Sequence, residues 1–298
     1  MSGTHTLHSH YRTLRSQSPH FNAETNHWHI ADYHHAAALL NHFPAHPFAQ
    51  APFSMDADHI TSATTATVHP LHTQHRADFV QTIILPLVAT LSNRTAQLDR
   101  PYNEALLLRL FNGEITTTTA QSHLMATYHL SKPNAETLLH RLIAAEQLVG
   151  ILVNGFSALL SHPKQLALLK VKRRYLSAAI VEMLRYAPPL HRLTFTVQAD
   201  TIIDALTLRT GQRVDVYLAA ANRDPNAFRH ADIFDMTQQR KHAPLISNRA
   251  IIVHWQLEAL VNGLLDALPR LQLLTAPAHL PYLPTDVLRR PREMPVVW

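Results

Sequence analysis

The chain has 298 residues, of which 46% are hydrophobic and 16% are charged, a balance typical of a globular protein with a sizeable core. It contains no cysteine, which excludes disulfides, thiolate nucleophiles and any metal site that needs a thiolate ligand. The formal net charge is +5 with all 23 histidines neutral, and the basic residues are scattered, so we expect no nucleic-acid partner.

Neither a membrane segment nor a signal sequence is predicted. The longest apolar run, "TIILPLVATL", is interrupted by Pro86 and is too short to cross a bilayer. The N-terminus is polar and rich in histidine, without the apolar core of a signal peptide. We therefore expect a cytoplasmic protein with no membrane contact.

In chain order, the first half of the sequence predicts mostly helices. A short helix is expected over Thr4–Gln17, a strand over "HWHIADY" (27–33) and a helix over "HHAAALLNHF" (34–43). From 74 to 93, apolar residues recur at helical spacing, and Pro86 predicts a kink in that helix. The mostly apolar stretch 133–163 predicts a long buried helix.

The second half mixes helices with short strands. Helices are expected over 164–169, 174–186 and 248–268, whereas 193–217 alternates in hydrophobicity and "TGQR" supplies a turn. The proline-rich tail predicts a short closing strand. The fold class predicted is mainly α with a minor β part, in one domain over 1–298, and the region 93–132 gives the weakest signal.

Glu182 and Arg185 lie one helical turn apart, directly before "YAPPLHR". An isolated pair at this spacing is most often a surface ion pair. Here it is followed by "ANRDPNAFRHADIFD" (221–235), and this long ordered pattern resembles the C-terminal half of the cytochrome P-450 superfamily. The resemblance implies that Glu182 and Arg185 lock one helix to the following meander loop and are structural rather than catalytic.

The resemblance extends over most of the chain except about 90–140. "HTQHR" (72–76) resembles the family's H-T-x-x-R, which implies that His72 and Arg76 are remnants of contacts to a haem propionate. "PPLHR" (188–192) implies the same for Arg192. "REMPVVW" is similar to the family's closing strand.

Three departures set the sequence apart from the family. The stretch where a cysteine should ligate haem iron, "KHAPLISNRAIIVHWQLEAL", has no cysteine and no glycine, and about Ser247 stands at the ligand position. In "AAEQLVG" (144–150) Glu146 matches the family acid, but Gln147 replaces the threonine that completes the proton relay. Between Arg76 and Glu146 the chain is too short for the family's helical lid.

These departures predict a truncated cytochrome P-450-like fold that lacks the cysteine-ligand loop and much of the lid. Glu146 is left as the only catalytic candidate, and its ordinary interpretation is a buried polar residue satisfied by Gln147 or water. Gln238 replaces the third partner of the lock, for which Arg240 is a substitute. The histidines in "HTLHSH" (5–10) and "HWH" (27–29) could chelate a metal by spacing alone, but we expect no metal site.

The first functional hypothesis is a haem-free homologue, without a cofactor, that acts as the auxiliary protein partner of a biosynthetic enzyme such as a natural-product glycosyltransferase. A second is a monooxygenase-family protein whose haem is held by another ligand, such as His242 or His254. A non-redox enzyme that uses the residual pocket and a decayed relic remain further alternatives.

Overall fold

The computed structural model describes residues 4–43, 55–71, 73–92, 99–246, 254–283 and 285–298. Most of them are helical, and the helices are α1 Thr4–Gln17, α2 Tyr33–His42, α3 Ala57–Val68, α4 Leu85–Leu91, α5 Arg100–Phe111, α6 Thr117–Tyr128, α7 Lys132–Leu160, α8 Pro163–Val171, α9 Leu176–Tyr186, α10 Leu218–Ala221 and α11 His254–Ala267. The strands are β1 His20–Asn22, β2 His27–Ile30, β3 Arg76–Asp78, β4 Leu193–Thr196, β5 Thr201–Ile203, β6 Leu206–Leu208, β7 Arg213–Val216, β8 Gln272–Leu273 and β9 Pro295–Val297.

The strands form small sheets from segments that are distant in sequence. One sheet has the order β1-β2-β7-β4, in which only the β2–β7 pair is parallel, with Trp28 opposite Val214. A second has the order β3-β9-β8, and β5 and β6 form a hairpin. A parallel pair needs a long crossover, and here most of the helical part lies between β2 and β7. The mainly α fold class with a minor β part is confirmed.

Helix α7 runs through the hydrophobic core. It is the one described helix long and apolar enough to cross a membrane, but 94% of its apolar window is buried inside the protein. Its first half packs with α5, α6 and the larger sheet, whereas its second half packs with α3, α4, α9 and α11. A helix that is apolar nearly all round requires partners on every side, which α7 finds in both clusters.

The helix predicted over 74–93 begins only at Phe79, because residues 76–78 form β3 and the Asp78 side chain caps the helix by accepting from the backbone N–H of Gln81; residue 93 lies outside the described part. Phe79–Ile84 is a π-helical turn that continues into α4, where Pro86 occupies one of the first helical positions. Proline is tolerated there because it has no N–H to donate and early helical positions need none. The predicted stripe of Phe79, Ile83, Leu87 and Leu91 is buried throughout.

Two details differ from the sequence prediction. The strand predicted over 27–33 ends at Ile30, because Asp32 accepts a hydrogen bond from the backbone N–H of His35 and so caps α2. The region 93–132, where no element was predicted, contains α5 and α6, and residues 93–98 lie outside the described part. Asp99 and Thr116 cap these two helices with their side chains.

Candidate functional site

The Glu182–Arg185 pair is buried, with Glu182 2% and Arg185 1% exposed. Arg185 Nε and Nη2 each donate to a Glu182 carboxylate oxygen at 2.8 Å. Its remaining hydrogens reach the carbonyl oxygens of Asn222, Ala231 and Ile233 at 2.7–2.9 Å. All five guanidinium donors therefore have an acceptor, which is the condition under which a buried arginine is tolerated.

Arg240 completes this lock from the far end of the meander. Its Nη2 donates to Glu182 Oε1 at 2.7 Å and its Nε donates to Oε2 at 3.2 Å. The backbone N–H of Asp235 also donates to Glu182 Oε1, at 2.9 Å. Arg240 thus makes the contact with Glu182 that the resemblance assigns to the position of Gln238. Gln238 instead donates to the Asp235 side chain. We call Glu182, Arg185 and Arg240 together the lock.

The rest of the meander motif is also engaged in structural contacts. The Asn222 side chain exchanges two hydrogen bonds with the backbone of Leu245, at 2.8 and 2.6 Å. Asp224 accepts from the backbone N–H of Tyr33, which joins the meander to the start of α2. The Phe228 ring lies edge-on to Tyr33 with 5.2 Å between the ring centroids. The motif recognised in the sequence therefore ties α2, α9 and the loop before α11 together.

Glu146, the catalytic candidate, is 5% exposed and is held by two arginines. Arg290 Nε donates to its Oε1 at 2.7 Å, and Arg100 Nη2 donates to its Oε2 at 2.9 Å. Glu104 also faces Arg290, at 3.3 Å. Glu146 is thus a buried polar residue with hydrogen-bond partners, and two of these partners, which α5 and the C-terminal stretch bring to it, are guanidinium groups that were not predicted.

The sequence did not predict this network, which consists of Glu146, Arg100, Glu104 and Arg290. Arg100 and Glu104 belong to α5, for which no helical signal was recognised, and Arg290 follows Glu146 by 144 residues. The i, i+4 spacing of Arg100 and Glu104 was the one available signal, and it indicates only a surface pair. Both carboxylate oxygens of Glu146 accept from arginine, so the side chain is engaged in contacts that join α7 to α5 and to the C-terminal stretch.

Two of the residues expected to contact haem propionates, Arg76 and Arg192, are described by the structure. Arg76 is exposed and pairs through its backbone with Val297 across the β3–β9 ladder. The side chain of Arg192 is 17% exposed, donates to Asn112 Oδ1 at 2.6 Å and lies 3.5 Å from Asp215. His72 lies outside the described residues.

Of the remaining candidates for iron binding, the structure describes the side chain of His242. Ser247, the position of the lost cysteine, lies outside the described residues, as does the side chain of His254. His242 is exposed and packs on the Tyr33 ring, with 5.1 Å between centroids. In the part of the chain that the structure describes, no group of three or more acidic or histidine side chains could hold a metal ion.

Taken together, these residues do not fit the haem that the resemblance implies. The chain has no thiolate to ligate the iron. Arg192, one expected propionate partner, reaches Asn112 and Asp215 through its two Nη atoms, while its buried Nε has no hydrogen-bond partner among the described residues. Glu146, at the position of the family's acid, is bound by Arg100 and Arg290. The buried side chains of α4, α7 and α11 pack against one another in a single apolar cluster.

Comparison with known proteins finds the same family. The cytochrome P-450 family model matches residues 165–240, which include the lock. The chain is 31% identical over 180 residues to the cytochrome P-450 monooxygenase PikC of Streptomyces venezuelae, covering 56% of this chain and 43% of that protein. It is 30% identical over 159 residues to the biotin biosynthesis cytochrome P-450 of Bacillus subtilis, covering 51% and 40%. The matched segments span less than half the length of these relatives.

The fold agrees with that match. The crystal structure of P450BioI in complex with an acyl carrier protein ligated to hexadec-9Z-enoic acid superposes with a TM-score of 0.73, at 20% identity, over 98% of each chain. The likeness in structure covers α1 to β9, including parts that the family model does not reach. With its lock, its meander and its overall fold, the chain belongs to the cytochrome P-450 superfamily.

Proposed function

We propose that this protein is a haem-free cytochrome P-450 homologue that works by binding, as the auxiliary partner of a biosynthetic enzyme such as a natural-product glycosyltransferase. The observation that carries the proposal is the state of Glu146. This carboxylate stands where the family keeps its proton-delivering acid, and it is bound by Arg100 and Arg290. A chain that also lacks a thiolate has no means of activating oxygen by the family's route.

The intact frame supports a binding role over decay. Every donor of Arg185 is satisfied, and Arg240 occupies the third position of the lock although the expected residue is absent. A sequence that drifts without function accumulates unpaired buried charges, each of which costs several kcal/mol, of the order of 3–5. The lock instead remains complete, so selection for a folded protein accounts for it better than relaxation does.

The biosynthetic setting rests on the relatives. The Bacillus subtilis relative is a protein of biotin biosynthesis, which is consistent with a role in the synthesis of a small molecule. The location in the cytoplasm and the absence of nucleic-acid and membrane partners stay predictions, and fractionation of the native cells checks them.

The test is a reconstitution with the glycosyltransferases of the organism that encodes this protein. Each purified transferase is assayed for sugar transfer with and without one equivalent of this protein, with heat-denatured protein as the control. We expect one transferase to gain activity and to co-elute with the protein on size-exclusion chromatography. If native, folded protein neither co-elutes with any of these transferases nor changes their rates, the auxiliary role is wrong.

A further inference from the structure

A cavity of about 550 Å³ lies beside the meander, whose Arg223 and Asp232 line it. It is bounded by α1, the second half of α7, the segment that follows α9, and the chain between 276 and 289. Neither Glu146 nor Arg76 nor Arg192 lines it. Pockets of roughly 300–1,000 Å³ hold molecules of drug size, so the volume suits a single small ligand.

The walls of the cavity are mainly small apolar residues and aromatic rings. Ala158, Pro188 and Ala219 line it without filling it, and Tyr186 and Tyr282 add flat faces. Small side chains leave room for a ligand. Tyr186 and Tyr282 each carry an arginine guanidinium on one face, Arg223 and Arg289 respectively, so only the other face or the edge of each ring can pack on a ligand. The walls therefore favour a ligand with a compact aromatic or alicyclic body.

The floor of the cavity is a neutral pair, Tyr11 and His191. The Tyr11 hydroxyl is hydrogen-bonded to His191 Nδ1. Burial, followed by the charges of Arg289 and Arg223, lowers the pKa of His191 to about 3, while burial raises the pKa of Tyr11. Both side chains stay uncharged at neutral pH, so the floor contributes no charge of its own.

The charge in the cavity comes from its arginines. Arg289 lies over the Tyr282 ring at 4.2 Å, and among the described residues no carboxylate is within ion-pair distance of it. Arg12 lines the mouth and is exposed. Asp232, the acidic residue of the lining, is 3.4 Å from Arg223 and so is already paired. Arg289 therefore lines the cavity with its guanidinium over a ring and with no carboxylate partner among the described residues.

We propose that this cavity binds a small organic acid, made of an aromatic or alicyclic body and one carboxylate, and that Arg289 holds the carboxylate. A guanidinium fork matches one carboxylate with two parallel hydrogen bonds. A phosphate monoester would bring a second negative charge for which the cavity offers no second unpaired, partly buried arginine, since Arg223 is paired with Asp232 and Arg12 is exposed. This function needs no partner enzyme and therefore goes beyond the auxiliary role.

Calorimetric titration of the full chain with 2-naphthoate tests the proposal. The matched neutral probe is 2-naphthylmethanol, and 1-naphthyl phosphate distinguishes a carboxylate site from a phosphate site. We expect one saturable site at which the carboxylate binds about ten- to a hundredfold more tightly than the alcohol, the range given by a charge-assisted hydrogen bond. The phosphate should bind more weakly than the carboxylate.

Two variants and a control locate the binding. Arg289→Gln should reduce the affinity for naphthoate to that for the alcohol, and Asn154 still reaches the backbone carbonyl of residue 289 because only the side chain changes. Ala278→Trp, at an exposed position of the mouth, should block both probes. Arg209→Gln, which removes an exposed arginine paired with Asp200 elsewhere, should change nothing.

The proposal is overturned by any of three results. One is the absence of saturable naphthoate binding to the wild-type protein, and another is equal affinity for the acid and the alcohol. The third is binding that Arg289→Gln and Ala278→Trp leave unchanged while circular dichroism shows both variants folded. Tighter binding of 1-naphthyl phosphate than of 2-naphthoate would also overturn the proposal, because the site would then be a phosphate site rather than a carboxylate site.

Discussion

Two buried networks of arginine and glutamate in this chain have different histories. In the lock, Glu182 and Arg185 occupy the positions that the family pattern predicts, and Arg240 completes them. In the other network, Glu146 stands where the family places a proton-delivering acid, yet Arg100 and Arg290 bind it. The first network holds α9 to the meander, whereas the second forms structural contacts at a position to which the resemblance assigns a chemical role.

The difference shows that the contacts that hold a fold together and the residues that carry out its chemistry can change independently of each other. The lock joins α9 to the meander, so a variant without it loses the hydrogen bonds that hold these two parts together. The position of Glu146 on α7 serves the frame only because α5 and the C-terminal stretch supply partners for it. Fold alone therefore does not determine what the protein does.

The largest effect is expected from breaking the lock. Glu182→Ala leaves Arg185 and Arg240 buried beside no carboxylate, and removal of one partner of a buried pair costs about 3–5 kcal/mol. Urea unfolding followed by circular dichroism measures the loss in the free energy of unfolding. The matched control is Glu293→Ala at an exposed position, expected within about 0.5 kcal/mol of wild type. Full stability of Glu182→Ala contradicts the structural role.

The next effect concerns His191, a buried side chain that, unlike the members of the two networks, has no carboxylate partner among the described residues. The pKa of His191 falls to about 3 in the folded state, from 6.5, chiefly because the ring is buried. The unfolded chain therefore binds the proton more readily between those values, so stability is complete above pH 6.5 and falls as the pH drops toward 3. The expected slope is about 1.4 kcal/mol per pH unit.

Unfolding free energies measured at pH 7, 6 and 5 check this slope. The variant His191→Gln cannot take up the proton and should show a shallower dependence over the same range. Equal slopes for the variant and the wild-type protein would mean that His191 is not held neutral by the fold.

A similar but smaller loss is expected in the Glu146 network, since Glu104 remains to accompany Arg290. Glu146→Gln should reduce the free energy of unfolding by about 1.5–3 kcal/mol, the value of hydrogen bonds to a charged group. A double-mutant cycle with Arg290→Met, read by urea unfolding, should give a coupling energy between the two sites. An unchanged stability would show that Glu146 is not a frame residue and would restore it as a catalytic candidate.

The smallest effect concerns the close contacts of α7 with its neighbours. A Cβ on Gly150 would lie 2.4 Å from the Cβ of Pro189, whose ring cannot move aside, so Gly150→Ala should cost about 1–3 kcal/mol. A Cβ on Gly155 meets the flexible sulfur end of Met183 at 2.9 Å. Gly155→Ala should cost less, because Met183 can adjust and alanine favours the helix by about 1 kcal/mol. Thermal unfolding of the two variants in parallel tests this, and an equal cost contradicts it.

The sequence predicted the lock well because its information is local and ordered. Glu182 and Arg185 lie one turn apart, and the meander pattern follows within 53 residues of Glu182. The expectation that Arg240 substitutes for the missing partner rested on proximity in the same loop. Long apolar helices such as α7 were equally evident, because their periodicity extends over many residues.

The Glu146 network and the cavity were not predictable in the same way. Arg290 meets Glu146 across 144 residues, and Tyr11 meets His191 across 180, so no local spacing reports either contact. Helices α5 and α6 carry little amphipathic pattern, and the sequence therefore gave no reason to expect Arg100 beside α7. Contacts of this kind depend on the packed fold rather than on the pattern of any segment.

The most direct test of the central claim is the visible spectrum and iron content of the protein expressed with excess haem precursor. The account predicts a colourless, folded protein without stoichiometric iron, because the chain offers no thiolate and its acid position is closed by two arginines. A red preparation with one equivalent of bound haem and an intense Soret band would contradict it, and would favour a haem held by another ligand.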